Sequence, residues 1–190
     1  MTDDPIALVK AWFEDAVDTG VREPGVLALA TADAAGRVSN RIVQTIRVME
    51  EGLVFTSHSG SQKGRDIAAT GWASGVLYWR ESGRQVILTG PVAPLAPQMC
   101  DALWKARPPA THPMSVASVQ SAPLGDEEAL RKEARRLAES GETFERPAEW
   151  LGYLLTPTVV EFWQADPERL HRRIRYDMVD GSWGSQRLQP

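Results

Sequence analysis

Short apolar runs separated by turn residues fill the chain between residues 26 and 95, and this alternation constrains the fold more than any other feature. Runs of this length with turns between them predict β-strands joined by hairpins. A mostly antiparallel sheet with such short connections is expected to close into a barrel. The predicted strands in this region cover residues 26–31, 38–49, 53–57, 72–79 and 85–95.

Helical patterns flank these strands. Asp4 is suited to be the N-cap of a first helix, and Gly20 is expected to end that helix. Two further helices are predicted at residues 97–105 and 125–140, and the second of them has one apolar face and one charged face. The helices are therefore expected to pack around the sheet rather than to form a bundle of their own.

The last third of the chain returns to strands, predicted at residues 153–163 and 174–179. Asp180-Gly181 predicts a turn after the second of these. The predicted fold class is α+β and mainly β, a barrel with peripheral helices. We expect it to form a single domain over residues 1–190.

Charge and composition argue against several classes of partner. The formal net charge of −4 gives no reason to expect a nucleic acid or a membrane surface as partner. Cys100 is the only cysteine, so the fold does not depend on an intrachain disulfide. The acidic start lacks the features of a secretory signal, and no apolar run is long enough to span a bilayer. We therefore expect a cytoplasmic protein.

Few motifs with a defined chemistry are present. His58, His112 and His171 lack the paired spacing of metal ligands, so no metal site is expected. Residues 59–67 are predicted to form a loop that leads into a short helix, where free backbone N–H groups, Lys63 and Arg65 could bind an anion. His58 and His112 are interpreted first as residues that support loop structure and second as substrate contacts.

The densest group of basic residues follows Trp163. Arg169, His171, Arg172 and Arg173 lie within five residues of one another, which is consistent with an anion site. A solvated basic turn is the alternative interpretation of the same residues.

These residues carry a resemblance to a known family. Glu-Phe-Trp-Gln at residues 161–164, followed by Arg169-Leu170-His171-x-Arg173-x-x-Tyr176, resembles the C-terminal signature of the pyridoxine/pyridoxamine 5′-phosphate oxidases. The similarity runs from near Asp4 to the end of the chain. It implies an FMN-binding split β-barrel that works as a homodimer, with FMN in each of two clefts at the dimer interface.

The resemblance also implies which residues contact FMN. Arg41, Ser61 and Lys63 match residues around the FMN phosphate, which needs charge-assisted donors. Gln62 stands at a phosphate position where the family usually has arginine. Arg173 matches a flavin contact, and an arginine near the pyrimidine end of the flavin would stabilise the anionic reduced form. The other matched positions are Ile42, Val43, Gln44, Thr45, Ile46, Thr56, Ser57, Gln85, Gln120, Ser121 and Trp163.

The substrate positions depart from the vitamin B6 oxidases. Ile46 stands where that family has a lysine for the substrate phosphate, and Leu103 stands where it has a tyrosine. Arg107 is retained, and Thr111 replaces a serine. Because each charge-assisted hydrogen bond contributes ~1.5–3 kcal/mol, the loss of two donors disfavours pyridoxine 5′-phosphate as substrate.

A branch of the same family matches better. Residues 56–65, 77–81 and 110–115 resemble the FMN-dependent oxidases of phenazine biosynthesis, which oxidise reduced phenazine carboxylic acids and pass the electrons to oxygen. Ile46 and Leu103 suit a flat tricyclic substrate, whose carboxylates Arg107, Arg169 and His171 are expected to meet. His171 is the candidate proton acceptor, and a role as hydrogen-bonding partner is the alternative.

Three other functions stay open at this point. The first is a pyridoxine/pyridoxamine 5′-phosphate oxidase with a rebuilt phosphate site. The second is a flavin-binding protein without turnover, for which Arg169 and His171 on the substrate side would have no use. The third sets the resemblance aside and reads the chain as a small barrel that binds an anionic ligand without flavin.

Overall fold

The structure is a computed structural model that describes residues 4–190. Its strands are β1 (Val26–Ala32), β2 (Val38–Val48), β3 (Leu53–His58), β4 (Trp72–Trp79), β5 (Arg84–Pro94), β6 (Trp150–Leu155), β7 (Val159–Gln164), β8 (Arg172–Val179) and β9 (Ser182–Leu188). Six of them form a closed barrel in the order β4-β1-β2-β3-β6-β5, because β5 pairs with β4 as well as with β6. The other three continue the sheet from β5 in the order β7-β8-β9.

Helices lie around the barrel. Asp4 caps the first helix by accepting from the Ile6 N–H at 2.8 Å, as predicted, and Gly20 follows the helix end in the left-handed region at φ +77°. Within residues 4–190, no helix is both long and apolar enough to cross a membrane. The helices are α1 (Pro5–Asp18), α2 (Gln62–Thr70), α3 (Pro97–Lys105), α4 (His112–Ala117) and α5 (Glu127–Glu139), with a 3₁₀ turn at Pro109–Thr111.

The barrel interior holds the main core. Alternate residues of β1 point inward, and Leu27 and Leu29 are fully buried there. Phe55 and Tyr153 stack with their ring centroids 5.4 Å apart across the β3–β6 pair. This close-packed interior fixes the register of the strands, because a slip by one residue would turn every buried side chain outward.

A second, smaller core lies under α3. Val54, Leu103, Trp104 and Trp150 pack together there. Cys100 is also fully buried on α3, and its Sγ accepts a hydrogen bond from the Gly152 N–H at 3.3 Å. This cluster attaches the α3 region to the outside of β3 and β6.

The fold class predicted from the sequence is confirmed, whereas the strand predicted at residues 153–163 is wrong. The chain breaks at Pro157, and the two pieces, β6 and β7, pair with successive parts of the same edge of β5. Proline has no N–H to donate to a sheet, so it suits the break. Gly90 faces the break, and a Cβ there would overlap the Thr156 carbonyl oxygen.

Candidate functional site

A tight loop connects β3 to α2. Ser61 caps α2, since its Oγ accepts from the Gly64 N–H at 3.2 Å. A Cβ on Gly64 would lie within 2.5 Å of the His58 carbonyl oxygen and closer still to that of Ser59, so only glycine allows this approach. The turn leaves backbone N–H groups of the first helical turn without helical partners, which suits an anion.

Lys63 lies under this loop and is 8% exposed. Its Nζ donates to Ser57 Oγ at 3.0 Å and to Ser61 Oγ at 3.4 Å. Burial lowers the pKa of Lys63, and the nearby Arg41 charge lowers it further. Both acceptors are neutral hydroxyl groups, so the charge of Lys63 is available to an anionic ligand.

Arg41 approaches the same loop from β2. Its Nη1 donates to Thr31 Oγ1 and its Nη2 donates to Ser39 Oγ, both at 2.6 Å. Both hydroxyls in turn donate to Oδ2 of the buried Asp66, at 2.7 and 3.1 Å. The arginine is therefore held by two hydroxyl groups rather than by direct contact with a carboxylate.

A segment distant in sequence completes this arrangement. Gln120 Oε1 accepts from Ser57 Oγ and from the His58 N–H, both at 3.3 Å, and the Gln62 N–H donates to Ser121 Oγ at 3.4 Å. Ser121 has φ +68°, a left-handed conformation that is rare for serine. We call this group the loop cluster; its members are Arg41, Ser57, Ser61, Gln62, Lys63, Gln120 and Ser121.

A polar cavity of about 280 Å³ adjoins the loop cluster and reaches Arg107. The Arg107 guanidinium lies 4.9 Å from the Trp104 ring and 5.2 Å from the Trp150 ring, and its Nη2 donates to Ser115 Oγ at 3.1 Å. Its buried Nη1 has no partner among residues 4–190. The cavity is lined by Thr56, Ser57, His58, Arg107, Met114, Ser115, Ser118, Gln120 and Trp150.

Two histidines flank this region. Burial lowers the pKa of His58, which lines the cavity, and the Arg107 charge lowers it further. His112 stacks on Trp104 at 4.2 Å, and its Nε2 lies 3.0 Å from the Trp104 carbonyl oxygen. This contact with Trp104 agrees with the interpretation of His112 as a structural residue.

A second group of predicted residues lies on β5, β7 and β8. Gln85, Trp163 and Arg173 form one row across these strands. Arg173 donates to Glu161 Oε1 through Nε at 2.8 Å and pairs with it through Nη2 at 2.7 Å. Glu161 is 7% exposed and is not among the predicted site residues, although the alternation of a strand places it on the same face as Trp163.

The turn before β8 carries the two substrate candidates. Arg169 is exposed and adopts φ +67°, with its N–H donating to the Asp166 carbonyl at 3.0 Å. His171 Nδ1 accepts from the Asp166 N–H at 3.2 Å, which places the imidazole proton on Nε2. His171 is therefore set up to donate from Nε2, which favours the hydrogen-bonding role over the proton acceptor. We call Gln85, Trp163, Arg169, His171 and Arg173 the sheet cluster.

The two clusters are far apart within one chain. In the closed barrel, β2 and β5 are three strands apart in either direction, which places them on opposite sides. At ~4.8 Å between neighbouring strands, the path along the barrel wall from β2 to β5 is roughly 14 Å. The loop cluster and the sheet cluster of one chain therefore lie on different parts of the barrel wall.

The remaining predicted residues divide between surface and core. Ile42 and Ile46 are 61% and 43% exposed on the outer face of β2, together with Gln44. Val43 and Thr45 point to the opposite face of the strand. Thr111 is exposed, and its carbonyl accepts from Arg107 at 3.4 Å.

Leu103, also predicted to contact the substrate, lies apart from the cavity beside Arg107, and its assignment to the substrate stays a prediction. It is 6% exposed, packs in the core under α3 and does not line the cavity beside Arg107. A leucine at this position is drawn into the core, because burial of its side chain stabilises the fold by about 2 kcal/mol.

Comparison with known proteins gives matches over almost the whole chain. Two family profiles match, "Pyridoxamine 5′-phosphate oxidase" over residues 13–140 and "Pyridoxine 5′-phosphate oxidase C-terminal dimerisation region" over residues 150–190. The chain is 46% identical to dihydrophenazinedicarboxylate synthase of Burkholderia lata, over 98% of this chain and 88% of that protein. It is 39% identical to pyridoxine/pyridoxamine 5′-phosphate oxidase of Mannheimia succiniciproducens, over 99% and 90%.

A solved structure matches equally well. The crystal structure of PhzG from Burkholderia lata in complex with tetrahydrophenazine-1-carboxylic acid superposes with a TM-score of 0.98. The match covers 100% of this chain and 94% of that one, at 45% identity.

Proposed function

The chain belongs to the pyridoxamine 5′-phosphate oxidase family, and on that premise we propose that it is an FMN-dependent oxidase of phenazine biosynthesis. Its substrate is a reduced phenazine carboxylic acid, which it dehydrogenates. The observation that carries this proposal is the near-identical backbone of a relative that holds a tetrahydrophenazine carboxylic acid. The relatives named as vitamin B6 oxidases are less similar to this chain.

The loop cluster fits the FMN phosphate. Arg41 and Lys63 bring two positive charges to one loop, and Ser61 adds a hydroxyl next to the first turn of α2. Charge-assisted hydrogen bonds of this kind suit a phosphate dianion. Bound FMN would supply the two-electron acceptor that none of the protein's own side chains provides.

The pKa of Lys63 makes this phosphate site sensitive to pH. Because that pKa is lowered, the cation is lost at a lower pH than for an ordinary lysine. We therefore expect the ratio of FMN to riboflavin affinity to fall as the pH rises from neutral to about 10. Flavin binding measured by fluorescence titration at a series of pH values tests this. Lys63→Arg keeps its charge throughout, so its ratio should stay flat; an equally steep fall in that variant would contradict the assignment.

The substrate carboxylate is assigned to Arg107. Its guanidinium lies against the rings of Trp104 and Trp150, its buried Nη1 has no partner among residues 4–190, and Arg107 lines the cavity beside the loop cluster. A buried donor without a partner costs about 1–3 kcal/mol, which a bound carboxylate would recover. The tricycle itself would pack beside Ile46, where the vitamin B6 oxidases have a charged residue.

A homodimer would bring the sheet cluster of a second subunit to the loop cluster of the first. The exposed Val38, Ile42 and Ile46 alternate with Asn40 and Gln44 along the outer face of β2, and a face of mixed apolar and uncharged polar residues suits an interface. In that assembly Trp163 and Arg173 approach the flavin, while Arg169 and the Nε2–H of His171 approach the substrate. Because dehydrogenation moves the substrate towards aromaticity, positioning suffices and no strong base is needed. Oxygen is the proposed final electron acceptor.

Anaerobic mixing tests the function. FMN-loaded protein is mixed with a reduced phenazine carboxylic acid or with pyridoxine 5′-phosphate, and flavin absorbance is followed near ~450 nm. We expect rapid bleaching by the phenazine precursor alone. Bleaching by pyridoxine 5′-phosphate would support the vitamin B6 oxidase instead, bleaching by neither would indicate a flavin-binding protein, and failure to bind flavin would leave the anion-binding barrel.

A further inference from the structure

Asp66 is a buried carboxylate at the loop cluster that the proposed function does not use. It lies on α2 and is 2% exposed. Its Oδ2 accepts from Thr31 and Ser39, and its Oδ1 accepts from Gln62 Nε2 at 2.8 Å. Burial would raise the pKa of Asp66, but these hydrogen bonds and the Arg41 charge more than offset that effect. Asp66 is therefore ionised at neutral pH and can only accept hydrogen bonds.

Two chains of hydrogen bonds start from Asp66, and we call them its arms; the first leads through Thr31 and Ser39 to Arg41. A hydroxyl group has a single proton, and Thr31 and Ser39 each give theirs to Asp66 Oδ2. Their lone pairs are thereby turned towards Arg41, which donates to both at 2.6 Å. The carboxylate stays 3.9 Å from the guanidinium, so it orients Arg41 through the two hydroxyl groups rather than by a direct hydrogen bond.

The other arm leads to Arg65. Gln62 gives its amide N–H₂ to Asp66, which turns its Oε1 outward to accept from Arg65 Nη2 at 3.0 Å. Arg65 also donates to the Gly60 carbonyl oxygen, so its guanidinium is held along the loop. An exposed arginine would otherwise sample many rotamers.

We infer that Asp66 is a positioning residue that sets both Arg41 and Arg65 for the phosphate of FMN. Arg65 then supplies the charge that Gln62, at a position usually occupied by arginine, does not supply. An anionic group next to an anion site is unfavourable unless it organises the cations, which both arms from Asp66 do. The inference rests on the proposed function in taking FMN as the ligand.

Asp66→Asn tests the inference, because an amide nitrogen cannot accept a hydrogen bond. Either the pair of hydroxyls or Gln62 must then reorient, which releases Arg41 or Arg65. The dissociation constants of FMN and of riboflavin are measured by flavin fluorescence on the purified full-length protein. We expect FMN affinity to fall at least about tenfold and riboflavin affinity to stay within about twofold, since riboflavin lacks the phosphate.

A control variant and a second test variant accompany Asp66→Asn. Asp18→Asn removes the same charge from the exposed end of α1 and should leave both affinities unchanged. Thr31→Val with Ser39→Ala cuts the Arg41 arm and keeps Asp66, so it should reproduce a part of the loss even if Asp66→Asn does not fold. Equal losses of FMN and riboflavin affinity, or no loss of either, would overturn the inference. A wild-type protein that fails to bind FMN would instead overturn the proposed function.

Discussion

Replacing Arg169 with alanine should lower kcat/KM for the reduced phenazine carboxylic acid by about 100-fold, because one charge-assisted hydrogen bond to a carboxylate is worth ~1.5–3 kcal/mol. FMN affinity should not change, since Arg169 is assigned to the substrate alone. Arg172→Ala removes a neighbouring exposed arginine and serves as the control. An unchanged kcat/KM in Arg169→Ala would place the substrate carboxylate elsewhere.

The backbone of Arg169 extends this prediction to stability. A non-glycine residue at φ +67° costs about 1 kcal/mol or more relative to glycine. Arg169→Gly should therefore lose the same activity as Arg169→Ala while its unfolding temperature exceeds that of the alanine variant. Thermal unfolding of the two variants separates the side-chain effect from the backbone effect. Equal unfolding temperatures would contradict the expected backbone strain at residue 169.

Gly64→Ala should disrupt the loop between β3 and α2. The new Cβ would press on the carbonyl oxygens of Ser59 and His58, which are backbone atoms that can move only with the loop itself. Overpacking of this kind costs about 1–3 kcal/mol, and FMN affinity should fall by more than about tenfold because the start of α2, which carries Lys63, shifts away from Ser57.

Gly60→Ala is the matched control for stability. It lies in the same loop, has no atom within 4 Å of the position of a Cβ, and should unfold at the wild-type temperature. Thermal unfolding measures the free-energy loss, and fluorescence titration of Gly64→Ala with FMN measures the loss of affinity. A Gly64→Ala variant as stable as wild type would show that the loop accommodates the methyl group.

Features with local causes were predictable from the sequence. The hairpins follow from turn residues, and the first helix from Asp4 as its cap. The break at Pro157 was not predicted. The apolar stretch divides into two strands because its two halves pair with different parts of β5, and this pairing is not visible in the sequence. The short α4 was missed as well, since six residues that include a proline give too little periodicity.

The candidate site shows the same division. Lys63 and Ser61 lie in one loop and could be recognised together. The positioning role inferred for Asp66 depends on its hydrogen bonds with hydroxyl groups on β1 and β2, and no spacing along the sequence reveals these contacts. The packing of Leu103 against Trp104 and Trp150 is likewise visible only in the folded chain, because these residues are brought together by α3 and β6.

The burial of Cys100 makes its labelling rate a measure of how often the protein opens locally. A thiol that is fully covered reacts with a labelling reagent only when α3 opens away from β6, so the labelling rate counts opening events. A ligand that binds only the closed state slows this count by the factor 1 + [L]/Kd. The affinities of ligands without any optical signal can therefore be ranked on the wild-type chain by how much each ligand slows the labelling of Cys100.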